Sequence, residues 1–223
     1  MYLNTSHVYI NTNLTTSFYK VRKEDMEISP QENPIELFKK WMAEAYKTEP
    51  VDPDAMSLAT VGKDGKPSVR MVLLKRVDEN GFCFYTNLES RKGGELTNNP
   101  NVALCFHWKS QTRQVRVEGA AAQMAAPMVD AYFKSRHYLS RLGAWASQQS
   151  RPLASRKELE DRVAELEKQF EGQEVPRPPH WVGFCVTPAK IEFWQEGKGR
   201  LHDRFLFSRK DDGDGWTLAR LNP

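Results

Sequence analysis

Apolar positions along the 223-residue chain change period in blocks, and each block predicts an element. Asn33 is placed to cap a helix, with Pro34 at its first position and Glu36 completing a capping box. Leu37, Phe38, Trp41, Met42 and Ala45 form its apolar stripe. Five runs then alternate at period two or are rich in β-formers: Ala55 to Val61, Ser68 to Lys75, Phe82 to Thr86, Val102 to Trp108 and Arg113 to Ala121. Lys63-Asp64-Gly65-Lys66 and Glu79-Asn80-Gly81 are hairpin-type connections, so consecutive strands are expected to be antiparallel neighbours in a sheet that closes toward a barrel.

Helical spacing returns over Pro127 to Tyr138 and Leu139 to Gln149. Ser155 and Glu158 then form a capping box before Leu159, Val163, Leu166 and Phe170. After the Pro-rich connector Gln173 to Pro179, four more strands are predicted: Trp181 to Thr187, Lys190 to Gln195, Arg200 to Phe207 and Trp216 to Leu221. Neither strand group buries both faces alone. The fold class expected is therefore α+β and mainly β, one barrel-like antiparallel domain over residues 31–223 with helices at its edge. Residues 1–30 are polar and aperiodic, and read as a mobile arm.

Composition narrows the partners. With 39% hydrophobic and 27% charged residues the chain is of globular type, and 32 Lys plus Arg against 29 Asp plus Glu lacks the bias of a nonspecific nucleic-acid binder. No run reaches the roughly 18 apolar residues of a membrane span, and Met1 to Tyr19 has neither a basic nor an apolar leader region, so a cytoplasmic location is expected. Cys83, Cys105 and Cys185 sit in apolar alternating runs and read as buried thiols of a reducing compartment, without disulfide or zinc.

Three segments are candidates for chemistry. On a strand from Arg200 to Arg204, Arg200, His202 and Arg204 share one face, which suits an anion or, equally, a solvated edge. Phe193 and Trp194, ahead of the Gly197-Lys198-Gly199 turn, set a large aromatic surface beside that face, as a flat anionic ligand requires. Arg70 and Lys75 have opposite strand parity, so they would serve two ligands or two subunits. At Tyr85 to Lys92 a strand gives way to a helix start carrying hydroxyl, amide and basic groups, which is an ordinary junction or a phosphate site. There is no G-x-G-x-x-G, P-loop or metal-ligand spacing, and His107 reads as structural.

Together the blocks RMVLLK at Arg70 to Lys75, YTNLESRK at Tyr85 to Lys92, RQVRVEG at Arg113 to Gly119 and YFKSR at Tyr132 to Arg136 resemble the pyridoxine 5′-phosphate oxidase family. So do GAWASQQS at Gly143 to Ser150, and EFWQ with RLHDR near the end; the resemblance runs from Asn33 to Pro223. It implies an FMN-binding split barrel, homodimeric, with active sites at the subunit interface. The reaction implied is oxidation of pyridoxine 5′-phosphate or pyridoxamine 5′-phosphate, with oxygen as acceptor.

By motif, FMN would be held by Arg70, Met71, Val72, Leu73, Leu74, Lys75, Tyr85, Thr86, Arg91, Lys92, Gln114, Gln149, Ser150, Trp194 and Arg204. The substrate would meet Lys75, Tyr132, Arg136, Ser140, Arg200, Leu201 and His202, with Arg200 and His202 in the catalytic positions. Histidine as a residue type serves both proton transfer and hydrogen bonding, and the sequence leaves the role of His202 open between the two. The arm departs from the family pattern: Phe18-Tyr19-Lys20-Val21-Arg22 is only a loose counterpart of its R-x-x-Y segment. A split-barrel protein that binds flavin or pyridoxal phosphate without turnover is the alternative, and a flavin reductase on a similar barrel comes third.

Overall fold

A computed structural model describes residues 26–211 and 213–223, so the Phe18 to Arg22 segment and most of the arm lie outside the described residues. Helix α1 (Pro34–Thr48) starts as its sequence dictates: Asn33 Oδ1 accepts from the backbone N–H groups of Ile35 and Glu36, and Pro34 needs no partner there. Its stripe of Leu37, Phe38, Trp41 and Ala45 is buried on the inner face of a nine-stranded antiparallel sheet. Phe38 is fully buried, edge-on to Phe82 and Phe106 with each ring centroid 4.9 Å away. Truncating it to Ala would cost about 3–5 kcal/mol.

The strands are β1 (Ala55–Val61), β2 (Pro67–Leu73), β3 (Arg76–Asp78), β4 (Gly81–Asn87), β5 (Asn101–Trp108), β6 (Arg113–Gln123), β7 (Trp181–Gln195), β8 (Asp203–Arg209) and β9 (Trp216–Arg220). Helix α2 (Arg91–Asn98) follows β4, while α3 (Ala126–Ser135), α4 (Tyr138–Ala146) and α5 (Arg156–Gln169) separate β6 from β7. The order is β2-β1-β5-β6-β7-β4-β3, with β8 and β9 continuing beside β7.

The Lys63 to Lys66 connection forms the β1–β2 hairpin as expected, whereas Glu79-Asn80-Gly81 joins β4 to the short, unpredicted β3 and not to the Ser68–Lys75 run; Gly65 and Gly81 both take positive φ. The expectation that consecutive strands are neighbours fails at β4, which pairs with β7, because α2 carries the chain away before β5 begins. Two predicted strands fuse into the 15-residue β7. Its register against β6 shifts between Glu118 and Gly119, where a Cβ on Gly119 would lie 2.2 Å from the Thr187 carbonyl oxygen.

Two further expectations are corrected. The final strand pair begins at Asp203, so Arg200, Leu201 and His202 precede it in a 3₁₀ turn and an irregular link, and strand parity does not govern them. Cys83 and Cys185 are not separate thiols. They face each other across β4 and β7 and are joined in a disulfide, although they are 102 positions apart in sequence. Only the pairing of the two strands reveals that proximity.

Candidate active site

A cavity of about 740 Å³ opens where the end of β2, the end of β4, α2, α3 and α4 meet. Its floor is aromatic. Tyr85 is near-parallel to Tyr132 at 4.1 Å and to Trp181 at 4.9 Å, with interplanar angles of 7° and 5°, and Tyr132 and Trp181 are themselves 6.2 Å apart. Phe133 and Val129 of α3 back Trp181 from below. The arrangement follows from local sequence: Tyr85 emerges near the end of β4, Tyr132 and Phe133 occupy adjacent faces of α3, and Trp181 opens β7 opposite Asn87.

Cations rim this floor. The Arg136 guanidinium stands 4.9 Å over the Trp181 ring, its Nη1 is buried without a hydrogen-bond partner among the described residues, and burial holds its pKa below the ordinary arginine value. Lys75 reaches the cavity just past β2 and pairs with Asp54 at 2.7 Å. Lys92, in the first turn of α2, donates to Gln149 Oε1 at 2.7 Å. Burial, helped by the charge of Arg70, lowers the Lys92 pKa to about 8. Thr86 also lines the cavity, and its Oγ1 is buried without a partner. Orphaned donors above a flat aromatic floor suit a planar ligand that carries phosphate.

The sequence-derived set therefore divides. Met71, Val72, Leu73, Lys75, Tyr85, Thr86, Lys92, Tyr132, Arg136, Ser140 and Gln149 meet around this cavity. Leu74 points into the core at 3% exposure, and Ser150 follows Gln149 with φ 71°. Arg70 and Arg91 turn toward a buried carboxylate, Glu95, beside Lys92.

Gln114, Trp194 and Arg204 form a second group along one row of the sheet, in register across β6, β7 and β8. Arg204 Nε donates to buried Glu192 at 2.8 Å, and that bond raises its pKa. His202 packs on Trp194 with centroids 4.7 Å apart, and its Nδ1 accepts the Gly197 N–H at 3.2 Å. A Cβ on Gly197 would lie 1.7 Å from the Leu201 carbonyl oxygen, so the loop that presents His202 closes only on glycine. Leu201 is exposed, and Arg200 adopts φ 66°. None of this second group lines the 740 Å³ cavity.

Two residues were missed by sequence reasoning. Trp181 looks like any core tryptophan until β7 pairs with β4. Glu95 did leave a trace, since it lies four residues after Arg91 on one helix face. A Cβ on Gly93 would lie 2.1 Å from the Leu88 carbonyl oxygen, so the turn into α2 needs glycine there.

Residues 42–170 match the family model described as pyridoxamine 5′-phosphate oxidase, and residues 181–223 match that of the pyridoxine 5′-phosphate oxidase C-terminal dimerisation region. The chain belongs to this family. It is 57% identical over 197 residues to the pyridoxine/pyridoxamine 5′-phosphate oxidase of Maricaulis maris, covering 88% of this chain and 89% of that one. The enzyme of the same name from Rhodospirillum rubrum is 57% identical over 196 residues, covering 86% and 96%.

Among solved structures, PhzG of Burkholderia lata in complex with tetrahydrophenazine-1-carboxylic acid superposes with a TM-score of 0.80 at 33% identity, covering 87% of this chain and 94% of that one. A pyridoxamine 5′-phosphate oxidase-related, FMN-binding protein of Nostoc punctiforme reaches 0.68 at 18% identity, covering 87% and 100%, which establishes the split-barrel fold alone. No helix among the described residues is long and apolar enough to cross a membrane.

Proposed function

We infer that the chain oxidises pyridoxine 5′-phosphate and pyridoxamine 5′-phosphate to pyridoxal 5′-phosphate, using FMN, and that it acts as a homodimer. The observation that carries this reading is the cavity in which the unpartnered donors of Thr86 and Arg136 flank a stacked aromatic floor. Lys75, Tyr132, Arg136 and Ser140 would hold the substrate phosphate. FMN would be held by the Arg70 to Lys75 segment, Tyr85, Thr86, Arg91, Lys92 and Gln149 with Ser150.

The second group of residues supports a site built by two chains. Gln114, Trp194, Arg200, Leu201, His202 and Arg204 stand apart from the cavity that their roles require, and a two-fold dimer brings such a surface against the cavity of its partner. His202 would hold or move a proton with the ring nitrogen that Gly197 leaves free, and Arg200 would orient the pyridine ring. FMN, when bound, would supply the hydride acceptor, with oxygen as the final oxidant and hydrogen peroxide as its product. The protein's own work is to bind two phosphates, align two rings and exclude water between them. A cytoplasmic location goes with this reading, because doubly charged phosphorylated vitamers do not cross a bilayer.

Absorbance of the purified protein, followed by an oxygen-coupled assay with both phosphorylated vitamers, tests the reading. A yellow protein that forms the aldehyde while consuming oxygen is expected. A colourless protein that FMN cannot reconstitute, or a flavoprotein that turns over neither vitamer, overturns it.

A further inference from the structure

Glu95 is 7% exposed, yet it is a charged residue on a short helix. Its Oε2 accepts from Thr60 Oγ1 at 2.5 Å, Ser68 Oγ at 2.7 Å and Arg70 Nη2 at 3.0 Å, while its Oε1 accepts from Arg91 Nε at 2.9 Å. Burial alone would raise the carboxyl. The donors from Thr60, Ser68, Arg91 and Arg70 outweigh it and hold the pKa down at about 2.

The donor inventory shows what each arginine has left for a ligand. Arg70 spends Nη1 on the Leu58 carbonyl and Thr60 and Nη2 on Ser68 and Glu95, which leaves Nε. Arg91 spends only Nε. Its two terminal nitrogens make no hydrogen bond among the described residues, and its side chain is 64% exposed. Glu95 holds Arg91 by Nε, four residues along the same helix, and so fixes the guanidinium while its terminal nitrogens stay unclaimed among the described residues.

We propose that Glu95 is a positioning residue for the flavin phosphate: it clamps Arg70 and Arg91 on either side so that Arg91 presents its terminal fork, next to Lys92, to the anion. This rests on the reading that these cations hold FMN. Lys92 completes the group, since its nearness to Arg70 is what adds to the lowering of its own pKa.

The test is titration of the full-length protein, stripped of flavin, with FMN and with riboflavin, which lacks the phosphate, following flavin fluorescence. Glu95→Gln removes the charge and turns one oxygen into a donor that faces other donors. FMN affinity is expected to fall by roughly tenfold or more, the scale of one charge-assisted hydrogen bond, while riboflavin affinity changes by less than about twofold. Equal losses for both ligands would mean a general structural role, and unchanged or tighter FMN binding would mean no role; either overturns the proposal. Should Glu95→Gln fail to fold, Glu95→Asp keeps the charge but withdraws it by one methylene, and the same selective loss of FMN is required of it. Arg91→Gln tests the underlying reading separately. If it lowers the ratio of FMN to riboflavin affinity and the Glu95 variants do not, only the positioning role fails; if Arg91→Gln leaves that ratio unchanged, the assignment of Arg91 to the phosphate fails.

Discussion

Tyr85 and Tyr132 lie face to face, ring centroids 4.1 Å apart and planes within 7°, although one ends a strand and the other sits in a helix 47 positions later. The contact couples a residue assigned to the flavin with one assigned to the substrate phosphate, and Trp181, near-parallel to both rings, completes the cluster. Each such ring pair is worth about 0.5–1.5 kcal/mol beyond area burial. Trp181→Leu, which also removes the platform under Arg136, is expected to raise KM for the phosphorylated vitamers by about tenfold with a smaller change in kcat. Steady-state measurement of pyridoxal 5′-phosphate formation checks this, and Trp181→Phe should recover part of the loss.

Arg136 has a buried donor, Nη1, with no hydrogen-bond partner among the described residues, and the substrate phosphate is expected to supply one. Arg136→Met should raise KM for pyridoxine 5′-phosphate by roughly ten- to a hundredfold, the value of a hydrogen bond between charged groups, and leave FMN affinity unchanged. Parallel substrate and flavin titrations separate the two effects; a loss confined to FMN would reverse the assignment.

Lys92 gives a pH dependence whose sign is fixed by the direction of its shift. Its pKa is lowered from 10.5 to about 8, so the flavin-free protein loses this positive charge early as pH rises. Its contribution to folding stability improves between about 8 and 10.5, because the unfolded chain there binds the extra proton. Its contribution to phosphate binding does the opposite. FMN affinity should therefore fall as pH rises above about 8, and Lys92→Arg, which stays charged, should flatten that fall when flavin fluorescence is followed against pH.

Glu95 makes the complementary prediction in acid. Its pKa is depressed from 4.5 to about 2, so the stability it contributes is fully present above 4.5 and is lost as pH falls toward 2. Glu95→Gln should lower stability at neutral pH and show a shallower decline through that window, measured by denaturant unfolding at stepped pH.

A site shared by two chains predicts complementation. Arg136→Ala and His202→Ala proteins should each be weakly active as homodimers. Unfolded together and refolded, half the dimers are hybrids in which one of the two sites is intact, so roughly a quarter of wild-type activity should return. No recovery in verified hybrids would place both residues in one chain's site.

Much of this protein was legible in its sequence because it depends on neighbours along the chain. Asn33 and Ser155 set helix starts through bonds to the next few residues, and alternation marked β1, β2, β4, β5 and β6 to within two residues at each end, since period-two burial is a local property, while the three-residue β3 is too short to show a period. The contiguous motifs brought Lys75, Tyr85, Thr86, Tyr132 and Arg136 into view, and the structure collects them around one cavity. What needed the tertiary structure was pairing between distant segments. The β4–β7 register decides both that Cys83 meets Cys185 and that Trp181 slides under Tyr85. The Gly197 loop, closed on the Leu201 carbonyl, takes Arg200 and His202 off the strand that their alternation suggested. Glu95 became part of the site only when Thr60, Ser68 and Arg70 were brought across the sheet to it. Local periodicity records which face a residue turns, whereas hydrogen-bond partners many residues away are selected by the packing of the whole sheet.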